Sequence, residues 1–245
     1  MRGRILAGLA AVALLALPAP AHAEPPVVGT CVNYAADQWG QTAFTATTVD
    51  CATPHNGEVV GLVSLPAEIA ATGYGSAASK GWAFRACQSA AIDYVWTGTA
   101  SKYPKASYVL PRSARLYVQV PTPEAWAAGE RWAVCLGHSR NVALTQPQAR
   151  TGSVRGTGLK PYVCLSPRGW KGMKCGRTDA VRLTHQVWLA ASYAQPYPGT
   201  NRLLTKTQTA CSKLRKKGWT LRTWFVPGQS SWDRGNRYGF CEIVK

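Results

Sequence analysis

The chain has 245 residues, of which 46% are hydrophobic, and its 28 Lys and Arg against 11 Asp and Glu give a formal net charge of +17. No run of 18 apolar residues occurs beyond the first 23 residues, which excludes a membrane-spanning helix from that part. The chain contains eight cysteines, an even number that in an exported protein indicates disulfides.

Residues 1–23 predict a secretory signal peptide. Arg2 and Arg4 precede an apolar run over 5–17, and residues 21–23 (AHA) form a small-x-small cleavage site. The apolar run is too short for a stable membrane span. Because no cysteine lies at the cleavage point, we expect no lipoprotein anchor. The mature chain is therefore expected to be secreted and associated with the cell envelope.

The first module is predicted over 24–145. Asn56-Gly57 lies between two β-branched segments, 47–51 and 58–65, a spacing that predicts a tight hairpin. Apolar residues from 83 to 95 recur at helical spacing. Two strands, 115–120 and 131–137, are predicted to close the module.

Residues 146–160 (QPQARTGSVRGTGLK) are rich in Gly, Ser, Thr, Gln and Arg, and predict a flexible linker. The second module is predicted over 161–245. Its predicted elements follow the order of the first: strands at 162–165 and 173–175 around a turn, a helix over about 201–217, and strands at 220–226 and 237–244.

The two modules share a terminal motif. Residues 126–135 (WAAGERWAVC) and 232–241 (WDRGNRYGFC) both fit W-x-x-G-x-R-[WY]-x-x-C, and each is preceded by a proline five residues earlier. Each half also has four cysteines with a middle gap of 36 residues, so an internal duplication is the economical interpretation. We therefore predict an α+β fold of two tandem disulfide-stapled modules, each roughly ββαββ with a small antiparallel sheet and one main helix. Arg131 and Arg237 are the motif residues that packing does not obviously require.

The predicted elements suggest which cysteines pair, although eight cysteines allow 105 connectivities. One bond would staple the opening strands of each module, and one would join each helix to its last strand. The predicted pairs are Cys31–Cys51, Cys87–Cys135, Cys164–Cys175 and Cys211–Cys241.

The segment CATPHNGEVVG resembles the C-x-x-P-H-x-x-E-V-x-G signature of the septum formation-related domain family. The matching residues are Cys51, Pro54, His55, Glu58, Val59 and Gly61. This resemblance implies an exported or membrane-anchored protein of high-GC Gram-positive bacteria with a part in cell division or envelope growth, and it implies no defined reaction. The second half is degenerate, because Thr178, Asp179 and Arg182 stand where the first half has Pro54, His55 and Glu58.

His55 and Glu58 are the candidate catalytic residues, since an imidazole and a carboxylate across a turn could act as an acid and base. The alternative is a structural role in the turn, which we favour because no nucleophile, second acid or metal site accompanies them. Cys51 and His55 could supply two metal ligands, but export favours a disulfide, so no metal and no cofactor is expected. The sequence contains no G-x-S-x-G elbow, P-loop or G-x-G-x-x-G fingerprint.

The excess positive charge lies entirely in the second half. Residues 24–145 contain eight Lys/Arg and eight Asp/Glu, whereas 146–245 contain 18 Lys/Arg and three acids, a net charge of +15. Interleaved cations and aromatic rings favour binding to a polyanion. The candidate ligand-binding residues are Lys171, Lys174, Arg177, Arg182, Lys213, Arg215, Lys216, Lys217, Trp219, Arg222 and Trp224.

These observations lead to one functional hypothesis and one alternative. The hypothesis is a non-enzymatic envelope module whose second half binds an anionic envelope polymer or lipid head groups, while the loop over 54–58 contacts an envelope protein. Nucleic acid is the least expected partner of an exported chain. The alternative is a secreted hydrolase of wall polymer or nucleic acid, with His55 and Glu58 as acid and base.

Overall fold

The computed structural model shows a mixed fold of antiparallel sheets, few helices and disulfides, in agreement with the predicted broad class. The described residues are 24–35, 37–38, 40–95, 115–138, 149–156, 163–165, 181–183, 185–214 and 220–244. The predicted signal peptide lies outside them. None of the helices within these ranges has the length and apolar character needed to cross a membrane.

The first half forms a five-stranded sheet with the order β2-β1-β3-β5-β4, in which all neighbours are antiparallel. Its strands are β1 (Cys31–Asn33), β2 (Thr47–Val49), β3 (Gly57–Ser64), β4 (Arg115–Gln119) and β5 (Trp132–His138). Strand β5 is buried at every position, as expected for a central strand covered on both faces. Three helices accompany the sheet: α1 (Ala67–Ala70), α2 (Ala77–Val95) and α3 (Pro123–Ala127).

Helix α2 packs closely on the sheet through small residues. Its buried positions include Ala83, Cys87 and Ala91, and Cys87 forms a disulfide with Cys135 of β5. A Cβ atom at Gly61 of β3 would lie 2.7 Å from the Cβ of Ala90. Glycine is therefore required at position 61 for the helix to approach the strand this closely.

The second half contains a three-stranded antiparallel sheet with the order β8-β10-β9 and a separate strand pair. The strands are β6 (Val163–Leu165), β7 (Val181–Leu183), β8 (His185–Trp188), β9 (Thr220–Phe225) and β10 (Tyr238–Val244). Helices α4 (Thr200–Leu214) and α5 (Gln229–Asp233) complete this half. A disulfide between Cys211 and Cys241 joins α4 to the central strand β10, as the analogous bond does in the first half.

The central strands of the two sheets share the same pairing register. In the first sheet Cys135 lies between Gly61 of β3 and Val118 of β4. In the second sheet Cys241 lies between His185 of β8 and Trp224 of β9.

The agreement extends to the beginning of both central strands, and it ends after Glu242, where β10 and β9 shift register and β5 and β4 do not. Ser64 pairs with Trp132, and Trp188 pairs with Tyr238, so the offset along both strands is unchanged. Among the opening strands, Cys31 pairs with Glu58, and Cys164 pairs with Arg182. The carboxylate position of the first half is therefore occupied by an arginine in the second.

The halves pack against each other through α2, which the sequence alone did not establish. Gln88 of α2 donates a hydrogen bond to Gln186 of β8 at 3.1 Å, and both side chains are buried. A Cβ at Gly81 would lie 2.8 Å from the carbonyl oxygen of Tyr193. Because α2 faces both sheets, apolar residues alone do not mark its buried surface, and the predicted stripe covered only part of it.

The predicted hairpin between 47–51 and 58–65 is wrong. Strand β1 lies between β2 and β3 and pairs with each of them. The physical reason is that Asn56 does not serve a two-residue turn: its Oδ1 accepts from the backbone N–H of Tyr34 at 2.9 Å, and its Nδ2 donates to the Tyr34 carbonyl at 3.0 Å. These bonds attach the loop to the end of β1.

Candidate functional site

Part of the segment that was predicted to be linker packs on the first half. The backbone N–H groups of His55 and Arg150 each donate to the other's carbonyl at 2.8 Å, which forms an isolated antiparallel bridge. The N–H of Gly152 donates to the carbonyl of Cys51 at 2.8 Å. Val154 is completely buried in the cluster that contains the Cys87–Cys135 disulfide. Residues 149–156 are thus part of the first half's packing.

Glu58 is the centre of this contact, because its carboxylate accepts four hydrogen bonds. Oε1 accepts from the hydroxyls of Tyr94 at 2.6 Å and Ser153 at 2.5 Å. Oε2 accepts from Nη2 of Arg150 at 2.5 Å and from the backbone N–H of Val154 at 2.7 Å. The side chain of Glu58 is 0% exposed, so protein donors replace water around the whole carboxylate.

His55 extends the same network. Its Nδ1 lies 2.8 Å from the carbonyl oxygen of Thr53, which can only accept, so Nδ1 carries the proton. Its Nε2 is then the acceptor for Nε of Arg150 at 3.4 Å. The ring is 0% exposed, and both of its nitrogens are occupied within the protein.

The charges in this cluster balance locally. Arg150 forms an ion pair with Glu58, and burial lowers the pKa of the guanidinium while Glu58 opposes that shift. Burial and the hydrogen bond to Glu58 raise the pKa of Tyr94, which keeps its hydroxyl protonated as a donor. We call Glu58, Tyr94, Arg150, Ser153 and the N–H of Val154 the Glu58 clasp, since together they fasten the returning segment to β3 and α2.

The geometry of the clasp supports a structural role for the two catalytic candidates. His55 and Glu58 are both shielded from solvent, and their polar atoms are occupied by partners in the chain. Ligand atoms of Cys31, His55 and Glu58 lie within 4.8 Å of one another, the kind of cluster that can hold a cation. However, Cys31 is bonded to Cys51, so no thiolate is available, and Glu58 already has four donors.

The signature residues around the clasp also have structural tasks. Nδ2 of Asn33 donates to the carbonyl of Pro54 at 3.2 Å, which holds the loop over β1. Within the predicted partner-binding loop over 54–58, Pro54 is exposed and Asn56 is half-buried, whereas His55 and Glu58 face inward. The exposed surface continues on the preceding residues Ala52 and Thr53.

The shared terminal motif builds the same local structure twice. The guanidinium of Arg131 lies 4.3 Å from the ring centroid of Trp126 and donates to the Trp126 carbonyl at 2.5 Å. In the second half, Arg237 lies 4.4 Å from the ring of Trp232 and donates to the Trp232 carbonyl. Each motif arginine therefore stacks on the tryptophan that precedes it by five residues. It also caps the short helix in which that tryptophan lies.

Burial distinguishes the second copy of this motif. Arg237 is 1% exposed, and burial lowers its pKa to about 10, while Asp233 opposes the shift. The motif glycine makes the turn that brings each arginine back, since Gly129 has φ of 104° and Gly235 has φ of 97°. Arg131 and Arg237, which the sequence alone did not assign to packing, thus hold these turns closed by donating to the tryptophan carbonyls.

Two of the predicted ligand-binding residues have described side chains. Lys213 is exposed in the last turn of α4, whereas Trp224 is half-buried and packs against the Cys211–Cys241 disulfide. Arg182 and Arg222 lie on β7 and β9, where the backbone is described. The remaining candidates fall outside the described residues: Lys171, Lys174, Arg177, Arg215, Lys216, Lys217 and Trp219.

Three of the predicted disulfides are present, namely Cys31–Cys51, Cys87–Cys135 and Cys211–Cys241. Each joins two cysteines of the same half, at Cα separations of 5.1 to 5.9 Å that suit a disulfide. The fourth predicted pair includes Cys175, which lies outside the described ranges, and that pairing stays a prediction.

Sequence reasoning missed the partners that complete the clasp. Tyr94 is on the predicted helix, but nothing in its spacing distinguishes it from a packing residue. Arg150 and Ser153 follow Glu58 by more than 90 residues in a polar segment without periodicity. The sequence offered one signal for these partners: Glu58 lies in a predicted strand without a cation nearby in sequence. A buried carboxylate needs a partner, so a distant cation had to be expected.

A protein-family model described as Septum formation matches residues 21–112. The predicted resemblance of the first half is therefore confirmed. The match covers the 51–61 signature and α2, and it ends before β4, β5 and the returning segment. No curated protein and no solved structure matches the chain.

Proposed function

We propose that this protein is a secreted, non-enzymatic module of the cell envelope whose basic second half binds an anionic envelope component. The match of the first half to the Septum formation family suggests an envelope function related to septum formation. Structural disulfides fit an extracytoplasmic protein, since reducing compartments do not maintain them. Secretion itself is proposed from the 1–23 segment.

The proposal includes an origin by duplication of one disulfide-stapled unit. The shared register around Cys135 and Cys241, which extends as far as Glu242, supports it, because register depends on every pair along a strand. The repeated stacking of Arg131 and Arg237 on their tryptophans supports it independently. In this view the two modules share a ββαββ ancestor, and the second module diverged after the duplication.

The observation that carries the function is the separation of charge between the two structural units. Residues 24–145 are neutral, with eight Lys/Arg and eight Asp/Glu. Because 149–156 packs on the first half, Arg150 and Arg155 belong to that unit. Residues 161–245 still contain 15 Lys/Arg against three acids, a net charge of +12. A protein that needed charge only for solubility would have no reason to confine it to one unit.

The difference between Glu58 and Arg182 at one register position supports a divergence of the second unit in which the clasp was lost. In the first unit this register position is occupied by Glu58, whose carboxylate binds Arg150. In the second unit the same position is occupied by Arg182. A cation there cannot accept the four hydrogen bonds that Glu58 accepts. We propose that the first unit kept the family's structural core while the second became cationic.

We propose a smaller role for the first unit's loop. The tip formed by Ala52, Thr53 and Pro54 is exposed and stapled at its base by the Cys31–Cys51 disulfide. A short rigid tip suits contact with a protein partner in the envelope, because little conformational entropy is lost on binding.

Sedimentation of the purified full-length mature chain with isolated cell-wall fractions tests the proposal. We expect binding to intact wall, loss of binding after the anionic polymers are extracted, and a linear fall of log K with log salt. Undiminished binding to extracted wall, or binding that salt does not weaken, would contradict an anionic ligand. Turnover of labelled wall polymer or RNA that disappears in a folded His55→Ala variant would contradict the non-enzymatic role.

A further inference from the structure

The outer face of α4 carries a row of cations whose side chains the structure places in solvent. Arg202, Lys206 and Lys213 are all exposed. At about 100° per residue these three positions fall within about 40° of one another around the helix. Their rise along the axis is about 6 Å from Arg202 to Lys206 and about 10 Å from Lys206 to Lys213. We call this row the α4 cation track.

The opposite face of α4 fixes the track in place. Leu203, Thr207 and Cys211 are buried against the second sheet, and the Cys211–Cys241 disulfide bonds the helix to its central strand. The cations therefore project from a rigid support, and a ligand would meet a preorganised row of charges.

The track is electrostatically unfavourable for the helix on its own. Helix α4 contains no Asp or Glu, so no acidic side chain within it can pair with these cations at i±3 or i±4. Arg202 and Lys206 are like charges at i and i+4, and Arg202 lies in the first turn, where the helix dipole is positive. An anion that binds along the track would relieve both repulsions, which is the physical reason to expect a ligand here.

The composition of the face indicates the kind of ligand. The hydroxyls of Thr205, Thr209 and Ser212 donate to carbonyls four residues earlier in the helix, so the strong donors directed outward are the cations. An interfacial helix inserts large apolar side chains into lipid, but on α4 Leu203 faces the sheet, and the exposed Leu214 lies about 100° around the helix from the middle of the track. A compact anion could reach at most two of three charges spread over about 16 Å.

We propose that the α4 cation track binds a linear polyanion that runs along the helix axis, with charges repeated in the polymer backbone. This inference rests on the proposed function and specifies its ligand as a soluble linear polymer, in place of a lipid surface or a small anion. A polymer recognised in this way gains affinity from counterion release at each cation and needs no enclosed pocket.

The test compares three probes on the full-length mature chain: linear poly(glycerol phosphate), monomeric glycerol phosphate, and vesicles of phosphatidylglycerol in phosphatidylcholine. We expect tight binding to the polymer alone. The variant R202Q/K206Q/K213Q should reduce the slope of log K against log salt by about 2, at about 0.7 per cation for a single-stranded polyanion. Glutamine is a good helix former, so the variant is expected to fold, and circular dichroism checks this.

The control removes two charges from the first unit with K80Q/R155Q and should leave the slope unchanged. If the wild type binds the polymer and the α4 variant binds with the same slope, the track is refuted while the proposed function survives. Equal binding of monomer or vesicles refutes the assignment of a linear polymer. If the wild type binds neither polymer nor wall fractions, the proposed function fails and this inference fails with it.

Discussion

The two halves of this molecule use one register position in opposite ways. Glu58 lies opposite Cys31 and is buried with four hydrogen bonds, whereas Arg182 lies opposite Cys164 on the equivalent strand pair. The first half uses its polar residues to hold distant parts of its own chain together. The second half also has an antiparallel sheet and a helix joined to its central strand by a disulfide, and its excess of cations is the basis of the proposed binding.

This difference also explains what the family signature does. His55 and Glu58 were the candidate acid and base, and Cys51 with His55 could have supplied two metal ligands. In the structure their partners are a second cysteine, a backbone carbonyl and an arginine. A polar signature can thus specify how a fold closes without supplying a reactive group.

The largest expected effect comes from removing the helix-to-strand disulfide of either half. The bonds close loops with sequence separations of 48 and 30 residues, for which the chain-entropy model gives about 4 kcal/mol each. We expect C87S/C135S and C211S/C241S to destabilise by similar amounts, measured by denaturant unfolding. A large loss in one half and none in the other would contradict a common framework.

The Glu58 clasp should show the next effect, confined to the first half. E58Q removes the partner of a largely buried guanidinium, so we expect a loss of about 3 kcal/mol in the free energy of unfolding. The exposed Glu68 of α1 provides the matched control, and E68Q should change stability by less than about 0.5 kcal/mol. In a double-mutant cycle E58Q and R150M should be strongly coupled. Additive effects would show that the ion pair does not fasten the segment.

The shared terminal motif predicts losses of the same kind in both halves, and the larger loss is expected at Arg237, which is buried, whereas Arg131 is half-buried. R131K and R237K keep the charge but lose the planar stacking on Trp126 and Trp232, at a cost of about 1 to 2 kcal/mol each. Thermal unfolding of the two single variants would measure the losses. A neutral result in either half would mean that the stacking in that half is incidental to its stability.

Alkaline pH sharpens the comparison further, since both halves bury tyrosines: Tyr34 and Tyr117 in the first half and Tyr238 in the second. Burial raises the pKa of Tyr117 and of Tyr238 to about 12. Because the folded-state pKa lies above the usual value of 10, the stabilisation is complete below pH 10 and is lost as pH rises toward 12. Absorbance titration at high pH should show late-titrating phenols, of which one is lost in Y117F and one in Y238F, while Tyr34, whose pKa burial also raises, still titrates late in both variants. Titration of either phenol near pH 10 in the folded protein would contradict its burial.

Much of the framework could be predicted from local sequence features. The helices near 77–95 and 200–214 follow from apolar spacing, and three disulfides follow from placing cysteines on the predicted elements. These features are readable because each depends on residues close in sequence or on a repeated pattern. The terminal motif and the cysteine spacing occur in both halves, so the elements of one half could be predicted by comparison with the other.

The remaining features depend on contacts that sequence spacing does not reveal. The hairpin prediction failed because Asn56 bonds to the backbone of Tyr34, 22 residues earlier. The clasp was missed because Arg150 and Ser153 belong to a polar segment that looks like linker. The packing of α2 between two sheets was not predicted because much of that contact lies outside an apolar stripe: it includes Gly81, the Gln88–Gln186 hydrogen bond and the stacking of Arg85 on Trp188.

The central claim is that the carboxylate of Glu58 holds residues 149–156 on the first half. Hydrogen exchange at the backbone amides of Arg150, Gly152 and Val154 tests it most directly, because each donates to the first half. We predict slow exchange at all three amides in the wild type and fast exchange in E58Q, with the amides of β10 unchanged. Fast exchange at these amides in the wild type, or equal protection in E58Q, would contradict the claim.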